Sequence, residues 1–119
     1  SAAGINYTVD VTKPKGEKIT ITGMSDGTPF DFNRRYRVAI NSYRGNGGGD
    51  LLTKGAGIPQ NELKKRIVKA TDKDLRFYLM KVIETKDALS PSIDKNWEFE
   101  PAEFVAPAIV RDREILFGK

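Results

Sequence analysis

The chain of 119 residues contains no cysteine and no histidine. Without cysteine it can form no disulfide bond, no thiolate nucleophile and no cysteine-bound zinc site. Without histidine it lacks the commonest general base and the commonest transition-metal ligand. The sequence therefore excludes a Ser–His–Asp triad and a histidine-rich dimetal centre within this chain.

Long apolar runs and a strong excess of one charge are also missing. Charged residues make up 30% of the chain, and no apolar stretch is long enough for a transmembrane helix. The net charge of +4 is mild for a domain dedicated to nucleic acid or to a membrane surface. The chain opens with Ser1 and shows no signal-peptide pattern, which indicates a piece of a longer protein. Its length and 39% hydrophobic content predict one domain over residues 1–119.

Alternating apolar residues predict several strands. Ile5, Tyr7, Val9 and Val11 alternate with polar residues, and Ile19 and Ile21 do so after a turn. These two segments predict a β-hairpin. A further strand is predicted at 36–42, which is rich in residues that fit a pleated surface, and another at 115–117, which is apolar. Around 97–99, Trp97 and Phe99 alternate with charged residues and predict one more strand.

The clearest predicted helix covers about residues 72–86, with Thr71 as its N-cap. An apolar stripe at helical spacing predicts that one face packs in the core; its members are Leu75, Tyr78, Leu79, Val82 and Ile83. Pro59 favours a short helix just after it, while 66–70 could be a helix or a strand. We therefore expect an α+β fold, with a mixed or antiparallel sheet packed with one main helix and a short helix.

The segment from Tyr43 to Asp50 has four glycines in five positions, at 45 and at 47–49. Such a run is expected where the backbone needs positive φ or must approach another group closely. A Walker A loop needs Gly-Lys-Ser/Thr after its glycines, and this run ends in Asp50-Leu51. A dinucleotide fingerprint fails as well, because Asp50 occupies the place of its third glycine.

The interpretation that remains is the edge of a ligand site. Tyr43 follows the predicted strand 36–42, so its ring could project beyond the sheet, beside glycines that leave space. An exposed aromatic face suits a flat ligand such as a nucleobase, and stacking is worth about 1–3 kcal/mol per base. In the alternative interpretation, Tyr43 packs inside and the glycines only form a long bend.

The segment from Asn41 to Asp50, with the Tyr-Arg-Val-Ala run before it, resembles the C-terminal domain of the 5'-nucleotidase family. This family includes UDP-sugar hydrolases and 2',3'-cyclic-nucleotide phosphodiesterases. The resemblance extends upstream through the strand near Tyr7, the turn at 14–16 and the Gly-Thr-Pro-Phe-Asp element at 27–31. It covers about residues 4 to 57, while the remainder is similar only in its order of helix and strand.

The resemblance implies a substrate-recognition domain for nucleotides or nucleosides, in a metallophosphoesterase that hydrolyses phosphate esters. In that family a separate N-terminal domain holds two divalent metal ions, so we expect this chain to need no cofactor and to be inactive alone. That catalytic domain, and the opening part of the C-terminal domain, would lie upstream of Ser1. The family's export to the periplasm, the cell surface or the medium would carry over as well.

The resemblance also implies the binding residues. Tyr43 would form one of the two aromatic walls around the base. The other candidate substrate-binding residues are Asn41, Arg44, Asn46, Gly47, Gly48, Gly49 and Asp50. A carboxylate contacts the ligand in the family, but direct counting from Tyr43 places that position at Gly49, one residue before Asp50.

A different class of function is a stand-alone interaction domain or a polyanion-binding domain. The clusters at 34–37 and 64–66 are basic, and nucleic acid would be their natural ligand. Acidic residues nearby, including Asp31 and Glu62, favour a solvated surface of mixed charge instead. We therefore expect a nucleotide or nucleoside ligand rather than nucleic acid.

Overall fold

The computed structural model describes residues 1–118 and divides into two compact units. The first unit contains Ser1–Arg34 and the segment from Ser92 onward, and the second contains Arg35–Pro91. The strands and α-helices, in chain order, are β1 (Ile5–Asp10), β2 (Ile19–Met24), α1 (Ser42–Gly45), α2 (Leu75–Glu84), β3 (Trp97–Glu100) and α3 (Ala102–Phe117).

The first unit is built on a three-stranded sheet with the order β2-β1-β3. β1 pairs with β2 in antiparallel fashion and with β3 in parallel fashion, so the sheet is mixed. Tyr7 lies opposite Ile21 on one side and Trp97 on the other. The α+β class, the mixed sheet and the hairpin are confirmed.

The centre of the sheet is Tyr7, which is 8% exposed. Its ring stacks on that of Trp97, with centroids 6.0 Å apart and planes 9° apart. The Thr8 hydroxyl donates to a Glu100 carboxylate oxygen at 2.7 Å, across the parallel pair. Aromatic stacking and cross-strand bonds therefore join the first and the third strand of the unit.

The predicted strand at 115–117 is wrong, since these residues form the end of α3. Apolar residues at 104, 105, 108 and 109 give α3 a helical period, but Pro107 interrupts the pattern. A proline inside a helix lacks the N–H that the helix would use, so its presence is evidence against a helix. The proline therefore weakens the helical signal of α3, which is the longest helix among residues 1–118.

The predicted strand at 36–42 is also wrong. Residues 36–41 join no ladder in the described chain, and α1 begins at Ser42. The Asn41 side chain accepts a hydrogen bond from the Arg44 backbone N–H at 2.9 Å and so caps α1. β-propensity marks side chains that fit a pleated surface, but it supplies no neighbouring strand.

The rest of the second unit consists of short helical turns followed by α2. Gly48–Asp50, Gln60–Glu62 and Lys64–Arg66 are 3-10 turns, and Leu51–Gly55 is a π-helical turn. The short helix predicted after Pro59 is thus found as two 3-10 turns. Leu63 lies between them and is 5% exposed, so it anchors this segment.

Two predictions about α2 need correction. Its N-cap is Asp74, whose carboxylate accepts from the Phe77 backbone N–H at 2.9 Å, and not Thr71. The apolar stripe is exposed rather than buried: Leu79 is 53% exposed and Ile83 is 50% exposed. Helical spacing identifies the apolar face of a helix but not what covers it.

Candidate ligand-binding loop

Tyr43 lies on α1, not at the end of a strand as predicted. It is 63% exposed, so its ring does not pack inside. The Asn41 cap and the backbone bond from Gly45 to the Asn41 carbonyl, 2.9 Å long, hold this short helix. The local fold therefore presents the aromatic face that the sequence analysis predicted, on a different element.

The glycines after Tyr43, at 47–49, fold back over α1. Gly47 and Gly49 have φ of 94° and 68°, in the left-handed region that favours glycine. A methyl group on Gly48 would lie 2.6 Å from Tyr43 Cε2 and 2.7 Å from Cδ2. Glycine at 48 therefore makes room for the Tyr43 ring itself, and the loop backbone lies against that ring.

Arg44 forms the second contact between α1 and the loop. Its guanidinium carbon lies 5.7 Å from the centroid of the Tyr43 ring. Its Nη1 donates to the Gly49 carbonyl at 3.4 Å, and a methyl group on Gly49 would collide with the same nitrogen. The cation is therefore held beside the exposed ring, in the range of a cation–π interaction.

Asp50 ends the loop with φ of 58°, an unusual conformation for a residue other than glycine. Its carboxylate accepts from Lys54 Nζ at 2.8 Å and from the Thr53 hydroxyl at 3.4 Å. The hydrogen bond and the charge of Lys54 lower the pKa of Asp50, and in return Asp50 raises the pKa of Lys54. A ligand would meet this carboxylate as a charged acceptor already engaged by a lysine.

The loop also has a contact that the sequence does not predict. Gln60 Nε2 donates to the Asn46 carbonyl at 3.0 Å, across 14 residues of sequence. A methyl group on Gly47 would collide with Gln60 Oε1. No motif could have revealed Gln60, since its partners are backbone groups of a distant segment.

The predicted binding residues lie in one segment, because they are adjacent in sequence, but they do not all present free side chains. Asn41 uses its side-chain oxygen to cap α1, and Asp50 binds Lys54, whereas Asn46 is exposed and bonds Gln60 through its backbone carbonyl only. Tyr43 and Arg44 are both exposed, and together they offer an aromatic face and a cation, which suit a planar, polar ligand.

Residues 1–118 contain no group of three or more acidic, histidine or cysteine side chains that could hold a metal ion. None of their helices is long and apolar enough to cross a membrane.

The chain thus combines an α+β fold with a glycine-rich loop beside an exposed tyrosine. A family model described as 5'-nucleotidase, C-terminal domain, matches residues 1–54 of the chain. The resemblance is thereby confirmed, and the description makes the family one part of a larger protein. The match includes β1, β2, α1 and Asp50, and it ends before Gln60. No curated protein and no solved structure matches the chain.

Proposed function

We propose that this chain is the substrate-recognition domain of a 5'-nucleotidase-like metallophosphoesterase and that it binds a nucleoside or nucleotide at Tyr43. The observation that carries the proposal is the exposed Tyr43 ring on the capped helix α1, within the segment that matches the family. A flat, half-exposed ring can stack with any base, because every base has a π-face.

The neighbours of the ring support a polar ligand. A guanidinium has five N–H donors, and the contact with the Gly49 carbonyl uses one of them. Arg44 can therefore donate to a phosphate or a base edge while it keeps its place in the loop. Asp50 would contact a ligand hydroxyl only by sharing its carboxylate with Lys54.

The hydrolytic chemistry would belong to a separate catalytic domain of the same protein. Two divalent metal ions in that domain would supply the activated water, and this chain would supply affinity for the base. Export to the periplasm, the cell surface or the medium is part of the same proposal, and it follows from the family alone.

The test is a titration of the full chain with adenosine and with AMP, in which NMR spectroscopy monitors binding. We expect Tyr43→Ala to weaken binding by roughly 5-fold to 150-fold, the equivalent of about 1–3 kcal/mol of stacking. Tyr43→Phe keeps the ring and should bind nearly as the parent chain does. Tyr78→Ala removes another partly exposed tyrosine, on α2, and serves as the matched control.

Two results would contradict the proposal. One is an affinity for both ligands that is unchanged by Tyr43→Ala. The other is binding of single-stranded DNA that falls steeply with salt and does not depend on Tyr43, which would favour the polyanion-binding alternative.

A further inference from the structure

We infer that Gln60 is a positioning residue that holds the glycine loop against the Tyr43 ring. The expected effect of Gln60 on ligand affinity rests on the proposed function, whereas its effect on the position of the loop does not. Gln60 lies outside the segment that matches the family, so the family model does not assign it a role.

The inference begins with the two polar atoms of the Gln60 carboxamide. Nε2 donates to the Asn46 carbonyl at 3.0 Å, and Oε1 occupies the space where a side chain on Gly47 would lie. Both atoms therefore meet the peptide unit between Asn46 and Gly47. Asn46 is the C-cap of α1, so this contact fixes the point where the chain leaves the helix.

The next residue along the loop is Gly48, whose backbone lies against the Tyr43 ring. When the peptide unit between residues 46 and 47 is held in place, the position of Gly48 is restricted. Only the dihedral angles of Gly47 and Gly48 lie between that peptide unit and the backbone that contacts the ring. Glycine gives the backbone the greatest freedom of any residue. Without Gln60, the loop would have more room to move away from the ring.

The Gln60 side chain, which we call the clamp, is itself held in place by its own turn. Gln60 opens the turn Gln60–Glu62, in which the Glu62 N–H donates to the Pro59 carbonyl at 2.9 Å. Leu63 follows directly and is one of the buried side chains of the described residues. A buried leucine thus fixes the turn, and the turn fixes the carboxamide relative to the loop.

Gln60 is exposed, and its bond is a single one between neutral groups. Removing such a bond has a modest effect on global stability. A role limited to stability would therefore leave the loop and the ligand affinity nearly unchanged. A positioning role would change both while the melting temperature stays close to that of the parent chain.

The experiment uses the full chain with Gln60→Ala and Gln60→Met. The methionine variant keeps the length of the side chain and removes the donor. Asn61→Ala, in the same turn, is the matched control. The first readout is the Hα chemical shift of Gly48, which the ring current of Tyr43 displaces, with Tyr43→Leu giving the value without a ring. The second readout is the dissociation constant for adenosine.

We expect both Gln60 variants to move the Gly48 shift toward the value in Tyr43→Leu and to weaken adenosine binding about 3-fold to 10-fold. Asn61→Ala should change neither readout. A Gly48 shift and an affinity equal to those of the parent chain in both Gln60 variants would overturn the inference. A shift that responds to Gln60→Ala in a chain without affinity for adenosine would support the clamp and contradict the nucleoside function.

Discussion

At the scale of single residues, contacts within the chain determine the conformation of the glycine-rich loop at 47–49. Each of the three glycines at 47–49 leaves space for a side chain of the chain itself. Gly48 leaves space for the Tyr43 ring. The other two leave space for the Gln60 carboxamide, beside Gly47, and for the Arg44 guanidinium, beside Gly49. The sequence indicated space for a ligand, but it could not show that the same space serves the loop's own side chains. A ligand bound beside Tyr43 would therefore depend on the same small residues as the loop itself.

Gly48→Ala is expected to destabilise the second unit and displace the loop. The added methyl group would lie 2.6 Å from the Tyr43 carbonyl oxygen as well as from the ring, and a backbone atom cannot move aside cheaply. Such overpacking costs about 1–3 kcal/mol. The measurement is the free energy of unfolding in urea, together with the Tyr43 ring resonances.

Gly55→Ala is the control for this substitution. Its methyl group would meet the Asp50 carbonyl at 3.5 Å, an ordinary contact. We expect no loss of stability there, since alanine lowers the entropy of the unfolded chain. Equal costs at 48 and 55 would show that Gly48 does not lie against the ring.

At the scale of elements, the sequence predicted those whose signal is local. Alternation located β1, β2 and β3, and apolar spacing located α2. The strand predicted at 36–42 has the right residues but no strand beside it, and a polar cap at Asn41 starts α1 instead. For α3, the interior Pro107 outweighed the helical period of its neighbours. Pairing partners and tolerance of a proline depend on distant parts of the chain, so local patterns could not reveal them.

The start of α2 gives a test at this scale. Asp74→Ala removes the acceptor for the Phe77 N–H and should cost about 1 kcal/mol of stability, with a loss of helical circular dichroism. Thr71→Ala, at the N-cap that the sequence predicted, should cost less, because the Thr71 hydroxyl donates to the Lys73 carbonyl, outside α2, and not to the helix. If Thr71→Ala were the more damaging change, α2 would begin where the sequence placed it.

At the scale of the whole molecule, each unit has one buried hydrophobic side chain among the described residues: Tyr7 in the first and Leu63 in the second. The sequence predicted a larger core that included the stripe of α2, and that prediction is wrong. An apolar composition shows that a core is possible, but which side chains enter it depends on how the elements meet.

The same substitution, Leu→Ala, can be made at the buried position 63 and on the exposed stripe of α2, which the sequence placed in the core. Leu63→Ala should cost about 2 kcal/mol or more, because it removes a buried side chain. Leu79→Ala, on the exposed stripe, should change stability by no more than about 0.5 kcal/mol. Urea unfolding of both variants measures the difference. A cost for Leu79→Ala as large as that for Leu63→Ala would mean that the stripe is buried in solution.

The parallel pairing of β1 with β3 has a consequence for synthesis on the ribosome. Thr8 and Glu100, which bond across this pair, are 92 residues apart, and the whole second unit is made between them. The nascent hairpin of β1 and β2 leaves the exit tunnel long before its third strand exists. During that interval the open edge of β1 can attract other extended chains, so this protein should benefit from a chaperone that occupies the edge until Trp97 arrives.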